Sequence, residues 1–264
     1  MIFKSKENLI LMIDIHAHLC FPEFDNDRDK VIEKCKEELT AVIVGTARYE
    51  ECVDALHLCE KHKGFLFPTL GFHPTEKTGH KKVIELIKQR KDDIVGIGEV
   101  GLDYHWEKDE HRQRDQIEVF KKFISLAEKL KKPLVIHSWD AEQQAFEMVK
   151  DVGVRVVFHS FSGKKELVAK MLKYDNIYIS FSTQILFSKN HKKLAKIVPL
   201  NRMLLETDSP FLSPNKEHDR RNYPWNIKLS ALKIAKLKGV PIENVLESAK
   251  ENAISVFKLK GLKP

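Results

Sequence analysis

The 264-residue chain has no apolar run long enough to span a bilayer, which excludes helical membrane insertion. Near its start, Lys4, Lys6 and Glu7 flank a short apolar run at 9–13. That run is too brief for a secretory signal and lacks a cleavage site. Only four cysteines are present, Cys20, Cys35, Cys52 and Cys59, and none forms a Cys-x-x-Cys pair. This argues for reduced, buried thiols and against a zinc knot or a disulfide framework. No Gly-x-Gly-x-x-Gly or Walker-type loop occurs, which counts against a nucleotide-binding fold. No Gly/Ser linker, low-complexity tract or close repeat marks a boundary. The chain is therefore expected to be one cytoplasmic domain over residues 1–264, a monomer with no membrane association and no obligate protein partner.

Apolar residues make up 42% of the chain, enough for a sizeable core, and charged residues make up 31%. The net charge of +7 suits an anionic partner such as nucleic acid. Pairs such as Lys81-Lys82, Lys121-Lys122 and Lys192-Lys193 are scattered, however, as on solvated helix faces. Short apolar runs at 9–15, 41–44, 65–70, 94–97, 133–136, 154–158, 177–180 and 203–205 lack polar alternation. Strands buried on both faces of a parallel sheet read this way. Amphipathic stretches separate them at 29–38, 50–61, 81–90, 114–131, 141–149, 164–173 and 227–237. The tail at 242–259 reads as a further helix packed on the outside. Eight strands alternating with helices predict a single α/β domain, a (β/α)8 TIM barrel.

The first strand runs Ile13-Asp14-Ile15-His16-Ala17-His18. Residues i and i+2 of a strand share a face, so His16 and His18 aim together, either as half of a metal site or as two polar residues opening a loop. Other strand ends carry Glu99 and Asp103, His137, His159, and Glu206 with Asp208. All these ends converge on one face of a barrel. Four histidines and two carboxylates are too many for one tetrahedral structural site and fit two divalent ions bridged by a carboxylate.

Together these residues resemble a known family, the TatD-like metal-dependent deoxyribonucleases of the amidohydrolase-type barrels. The motifs that carry the resemblance are His16-Ala17-His18, Gly71-Phe72-His73-Pro74, Gly98-Glu99-Val100-Gly101-Leu102-Asp103-Tyr104, His137, His159-Ser160-Phe161-Ser162-Gly163 and Glu206-Thr207-Asp208-Ser209-Pro210. The resemblance implies His16, His18, Glu99 and Asp208 around one metal, and Glu99, His137 and His159 around the other. It also implies phosphodiester hydrolysis, typically from a DNA 3′ end. Departures lie at the rim: Leu19-Cys20 replaces an acidic residue, Trp139 stands where the family has Arg, Ser160 replaces Cys, and Asn222-Tyr223-Pro224 replaces Asn-Glu-Pro.

The expected activity is thus a DNA exonuclease of 3′-5′ type on single-stranded ends, using two divalent cations (Mg2+, Mn2+ or Zn2+). A hydrolase of another ester, amide or lactone, aminoacyl-tRNA included, would need the same cage. A nucleic-acid-binding protein with structural metals is a third reading. Asp208 is the candidate general base, or a ligand alone. His73 either contacts the scissile phosphate or caps the turn at Pro74. Asp103 orients a ligand histidine or touches substrate. Ser162 with Gly163 offers a phosphate seat near a helix start. Arg221 and Asn222, within the patch Arg220, Arg221, Asn222, Tyr223 and Trp225, are candidate substrate contacts, with exposed packing aromatics as the alternative. Asp25, Asp27 and Arg28 are expected to cap the first helix.

Overall fold

The computed structural model describes residues 12–215 and 220–262; residues 9–11 of the first predicted run lie outside them. The strands are β1 (Ile13–Ala17), β2 (Ala41–Val44), β3 (Leu66–Leu70), β4 (Gly96–Asp103), β5 (Leu134–Trp139), β6 (Val156–Phe158), β7 (Ile177–Phe181) and β8 (Met203–Leu205). All neighbours pair in parallel, in chain order from β1 to β8. A parallel bridge between Ala17 and Ser209 joins the end of β1 to the chain leaving β8. The architecture is a (β/α)8 TIM barrel.

Helices fill the crossovers: α1 (Arg28–Glu38), α2 (Tyr49–Lys61), α3 (His80–Gln89), α4 (Glu110–Leu130), α5 (Glu142–Val149), α6 (Lys165–Met171) and α7 (Lys189–Ile197). After β8 come α8 (Ile227–Lys238) and α9 (Ile242–Phe257). The inner layer holds Ile13, Ile15, Ala41, Ile43, Phe67, Val135, Val157, Tyr178 and Leu204. The larger layer between sheet and helices holds the alternate strand residues, such as Val42, Val44, Leu134, Ile136, Val156 and Phe158. A two-residue period on doubly buried strands produces this division.

Four expectations need correction. Strand β4 does not stop at Ile97: it runs to Asp103, fully buried, because Val100 to Asp103 keep pairing with Ile136 to Trp139 of β5. The Lys-rich α7, which buries only His191, Leu194 and Ala195, is an additional helix. Asp27 precedes α1 without a side-chain cap bond, its carboxylate being held by Arg221 instead. Finally, α9 is not wholly external, since Ile254, Val256, Phe257 and Leu259 join the inner layer and close the barrel floor.

Candidate metal centre

Five strands deliver the polar residues to one mouth, by two different local devices. On β5, β6 and β8 the alternation is regular, so the residues continuing the inner face after Val135, Val157 and Leu204 are His137, His159 and Glu206. On β1 it is not. Ile13 and Ile15 face inward, and unbroken alternation would send His16 outward. A register shift between Asp14 and Ala17 sets three residue steps on β1 against two on β2. This bulge turns His16 and His18 into the mouth. A second shift, between Ile97 and Val100, does the same for Glu99.

Close backbone approach makes room for these side chains. A Cβ on Gly45 would lie 2.6 Å from the His16 ring, and one on Gly71 would lie 2.3 Å from the Glu99 backbone nitrogen. Asp14 anchors the seam, accepting hydrogen bonds from His16 N at 3.1 Å, Thr207 N at 3.0 Å and the Thr207 hydroxyl. Burial pushes the Asp14 carboxyl well above its usual range.

Glu99 stands at the centre with its two oxygens divided between two sets of histidines. Oε1 lies 2.7 Å from His137 Nδ1, 2.9 Å from His159 Nε2 and 3.6 Å from His73 Nε2. Oε2 lies 3.4 Å from His16 Nε2 and 3.5 Å from His18 Nε2. Asp208 Oδ1 is 3.4 Å from His18 Nε2 and 3.8 Å from His16 Nε2, while the two Nε2 atoms are 3.1 Å apart.

The first set is poorly spaced for hydrogen bonding and well spaced for shared coordination. Donors bound tetrahedrally at about 2.1 Å from one ion would be about 3.4 Å apart, close to the 3.1–3.8 Å seen among these atoms. The second set is drawn together by charge. Burial lowers the pKa of His159, but the charges of Glu99 and Glu206 override it and hold the imidazole well above its ordinary value. Burial also opposes the charged form of His137, and bonds to Asp103 and Glu99 raise it. His18 is raised to about 10 against burial by Asp208 and Glu99. Glu99 lies well below the usual carboxylate range because His159, His73 and His137 outweigh its burial. These shifts favour imidazolium beside the buried carboxylates, a role that cations binding deprotonated ligands can take over. Both donor sets fit divalent metals. Histidine and carboxylate groups of ligating range are His16, His18 and Glu99; His16, His159 and Asp208; and His73, Glu99 and His137.

Behind the histidines lie fixed acceptors. His137 Nε2 donates to Asp103 Oδ2 at 2.9 Å, and His159 Nδ1 donates to Glu206 Oε1 at 3.1 Å. Glu206 Oε2 accepts from Ser180 Oγ at 2.6 Å. Each bond sets which ring nitrogen faces Glu99. Asp103, a candidate substrate contact in the sequence, is fully buried and occupied by His137 and Trp106 N. His73 comes closer to the ligands than its motif implied, with Nε2 3.3 Å from His137 Nδ1. Its Gly-Phe-His-Pro context at the end of β3 was the available signal.

The remaining candidates lie apart from the cage. Ser162 Oγ donates to Glu142 Oε1 at 3.1 Å. Asn222 is fully buried, its amide donating to Thr183 Oγ1 and Thr207 O at 2.9 Å each. Arg221 binds both oxygens of Asp27 and covers the Phe24 and Tyr223 rings. Tyr223 in turn stacks on Trp225 at 4.6 Å, and Lys34 sits 4.1 Å above Trp225. That patch is an internal stack. All four cysteines are free thiols. No helix among the described residues is long and apolar enough to cross a membrane.

Comparison with known proteins agrees with this geometry. A family model described as TatD related DNase matches residues 13–258. The chain is 40% identical over 250 residues to an uncharacterized metal-dependent hydrolase of Methanocaldococcus jannaschii, covering 93% of this chain and 96% of the relative. It is 33% identical over 267 residues to the human deoxyribonuclease TATDN3, covering 95% and 96%. The crystal structure of the TatD homologue YjjV of Escherichia coli superposes with a TM-score of 0.86 at 22% identity, covering 94% and 98%. That last likeness speaks for the fold.

Proposed function

The chain belongs to the TatD-related DNase family of metal-dependent hydrolases, and from that premise we propose that it hydrolyses phosphodiester bonds in DNA, trimming single-stranded 3′ ends with two divalent cations bridged by Glu99. The observation that carries the two-cation reading is the division of the Glu99 carboxylate, Oε1 toward His137 and His159 and Oε2 toward His16 and His18. His16, His18, Glu99 and Asp208 would hold one cation; Glu99, His137 and His159 would hold the other. When bound, such cations ease ionisation of water and offset charge on the phosphoryl oxygens.

The chain's own residues do the rest. Asp208 is the more open acid, 16% exposed against 4% for Glu99. Burial opposes its ionisation, yet His18 and His159 keep it below the usual carboxylate range. It is thus ionised and placed to accept the proton of the attacking water. His73 is neutral: burial, then the neighbouring His137, lowers its pKa to about 3. Thr75 Oγ1 fixes the ring through Nδ1 at 2.6 Å. A neutral, oriented imidazole at the rim can hydrogen-bond a phosphoryl or leaving oxygen without adding charge. Asp103 and Glu206 hold His137 and His159 in the required tautomers.

The test is digestion of 3′- and 5′-labelled single-stranded DNA by metal-stripped protein reloaded with Mg2+, Mn2+ or Zn2+, beside Asp208→Ala. Metal-dependent shortening from the 3′ end that is absent in the variant supports the reading. Hydrolysis of a carboxylic ester or of aminoacyl-tRNA, with DNA left intact, refutes it.

A further inference from the structure

The rim beside His137 carries an aromatic shelf that the hydrolytic machinery does not use. Trp139 follows His137 by two residues on the inner-facing side of β5. The His105 ring lies flat against it, 4.0 Å between centroids and 7° between planes. Trp106 stands at 82° to Trp139 and 88° to His105. The three rings form a floor with a wall. Folding does not explain their position, since Trp106 is 70% exposed and Trp139 remains 38% exposed with one ring against it. Exposed indoles grouped at a site mouth are a binding surface more often than a packing remnant.

The shelf is fixed to the candidate metal centre. One carboxylate, Asp103, takes His137 Nε2 on Oδ2 at 2.9 Å and Trp106 N on Oδ1 at 2.7 Å. Tyr104 N donates to Trp139 O at 2.9 Å, and His105 pairs with Asp140 at 3.2 Å. A ligand with an anionic group at Glu99 and its histidines therefore has a flat, pre-set aromatic surface one strand step away.

We infer that this shelf is a nucleobase-binding subsite: the base of the nucleotide adjoining the scissile phosphate stacks on the face of Trp139 that His105 does not cover, with Trp106 as its side wall. The inference rests on the nuclease reading above and adds what selects the substrate. Stacking on an indole is open to every base, because each presents a π-face. It is closed to a base still stacked in a duplex, so the shelf selects frayed or single-stranded ends and does so without sequence preference.

The test compares single-stranded oligomers that differ only by an abasic residue on one or the other side of the scissile bond. For wild type, the abasic change on one side lowers kcat/KM by roughly 10- to 100-fold, the range of one lost stacking contact. In Trp139→Ala the ratio between natural and abasic substrate falls close to one, and Trp139→Phe restores most of it. In metal-free protein the natural oligomer quenches tryptophan fluorescence more than the abasic one, and Trp139→Ala removes that difference. Should Trp139→Ala fail to fold, Trp106→Ala reads the same ratio from the wall. A variant that keeps the wild-type ratio overturns the shelf while leaving the nuclease reading intact. Wild type that cleaves neither oligomer overturns both.

Discussion

Thr207 donates both its backbone N–H and its hydroxyl to the carboxyl of Asp14, so a buried acid reinforces the backbone bridge between the strand that carries His16 and the segment that carries Asp208. Asp14→Ala leaves two backbone N–H groups without their acceptor, while the Thr207 hydroxyl keeps Ser209 Oγ at 2.8 Å. At about 1–3 kcal/mol for each buried unsatisfied group, unfolding free energy should fall by about 2 kcal/mol or more in a denaturant titration. Asp14→Asn keeps an acceptor for both N–H groups and matches the neutral acid that burial favours. It should recover most of the loss.

Glu99 faces both histidine sets, so its removal should not cost one cation alone. Glu99→Ala is expected to lower the metal content of the protein at both positions and to reduce hydrolysis by roughly 10²- to 10⁴-fold, the effect of several kcal/mol of lost charge stabilisation. The circular dichroism spectrum should stay that of the folded barrel. Elemental analysis showing two bound metals in this variant would sink the bridging role.

Glu206→Gln keeps the size of the side chain but removes the charge behind His159. Second-layer changes of this kind typically cost 10- to 100-fold in metal affinity or activity. The variant should need more metal for half-maximal activity, with turnover largely regained at saturating metal. A loss of turnover that metal cannot recover would instead place Glu206 in the chemistry.

Metal uptake should release protons. Without a cation, the carboxylates hold His159 well above its ordinary pKa, raise His137 and bring His18 to about 10. These shifts favour the protonated imidazoles, and coordination requires the neutral form. Affinity should therefore strengthen as pH rises toward those values and weaken as it falls. Titration calorimetry in two buffers of different ionisation enthalpy would count the protons; a heat independent of buffer would contradict the assignment.

Arg221 is the residue on which sequence and structure part most clearly. Basic and flanked by aromatics, it resembles a phosphate contact, yet its guanidinium is spent on Asp27 and on the Phe24 and Tyr223 rings. Arg221→Ala should lower stability by about 1 kcal/mol and leave the salt dependence of DNA binding unchanged. A flatter dependence would return it to the substrate-binding surface.

What could be read in advance followed from local periodicity. The eight apolar runs read as strands buried on both faces, and His159 and His137, each two residues beyond Val157 and Val135, follow the period of two that any strand imposes. The aiming of His16 and Glu99 obeys no such rule, since both depend on register shifts opposite β2 and β5. A bulge is a relation between strands, and one strand's residues do not announce it. The length of β4 was hidden for a related reason: glycines and a glutamate look like loop until a partner strand pairs with them. At Asn222 and Arg221 composition reports what a side chain can bind, while the fold decides what it meets first.

The seam between β1 and β8 has a consequence for biosynthesis. The groups proposed to hold one cation come from the first strand, the fourth and the stretch after the last. A chain still emerging from the ribosome holds His16 and His18 for nearly the whole of its synthesis without Asp208 to complete them. With that ligand set, cleavage competence is withheld until the two ends of the barrel meet, and a truncated or stalled product would be born unarmed.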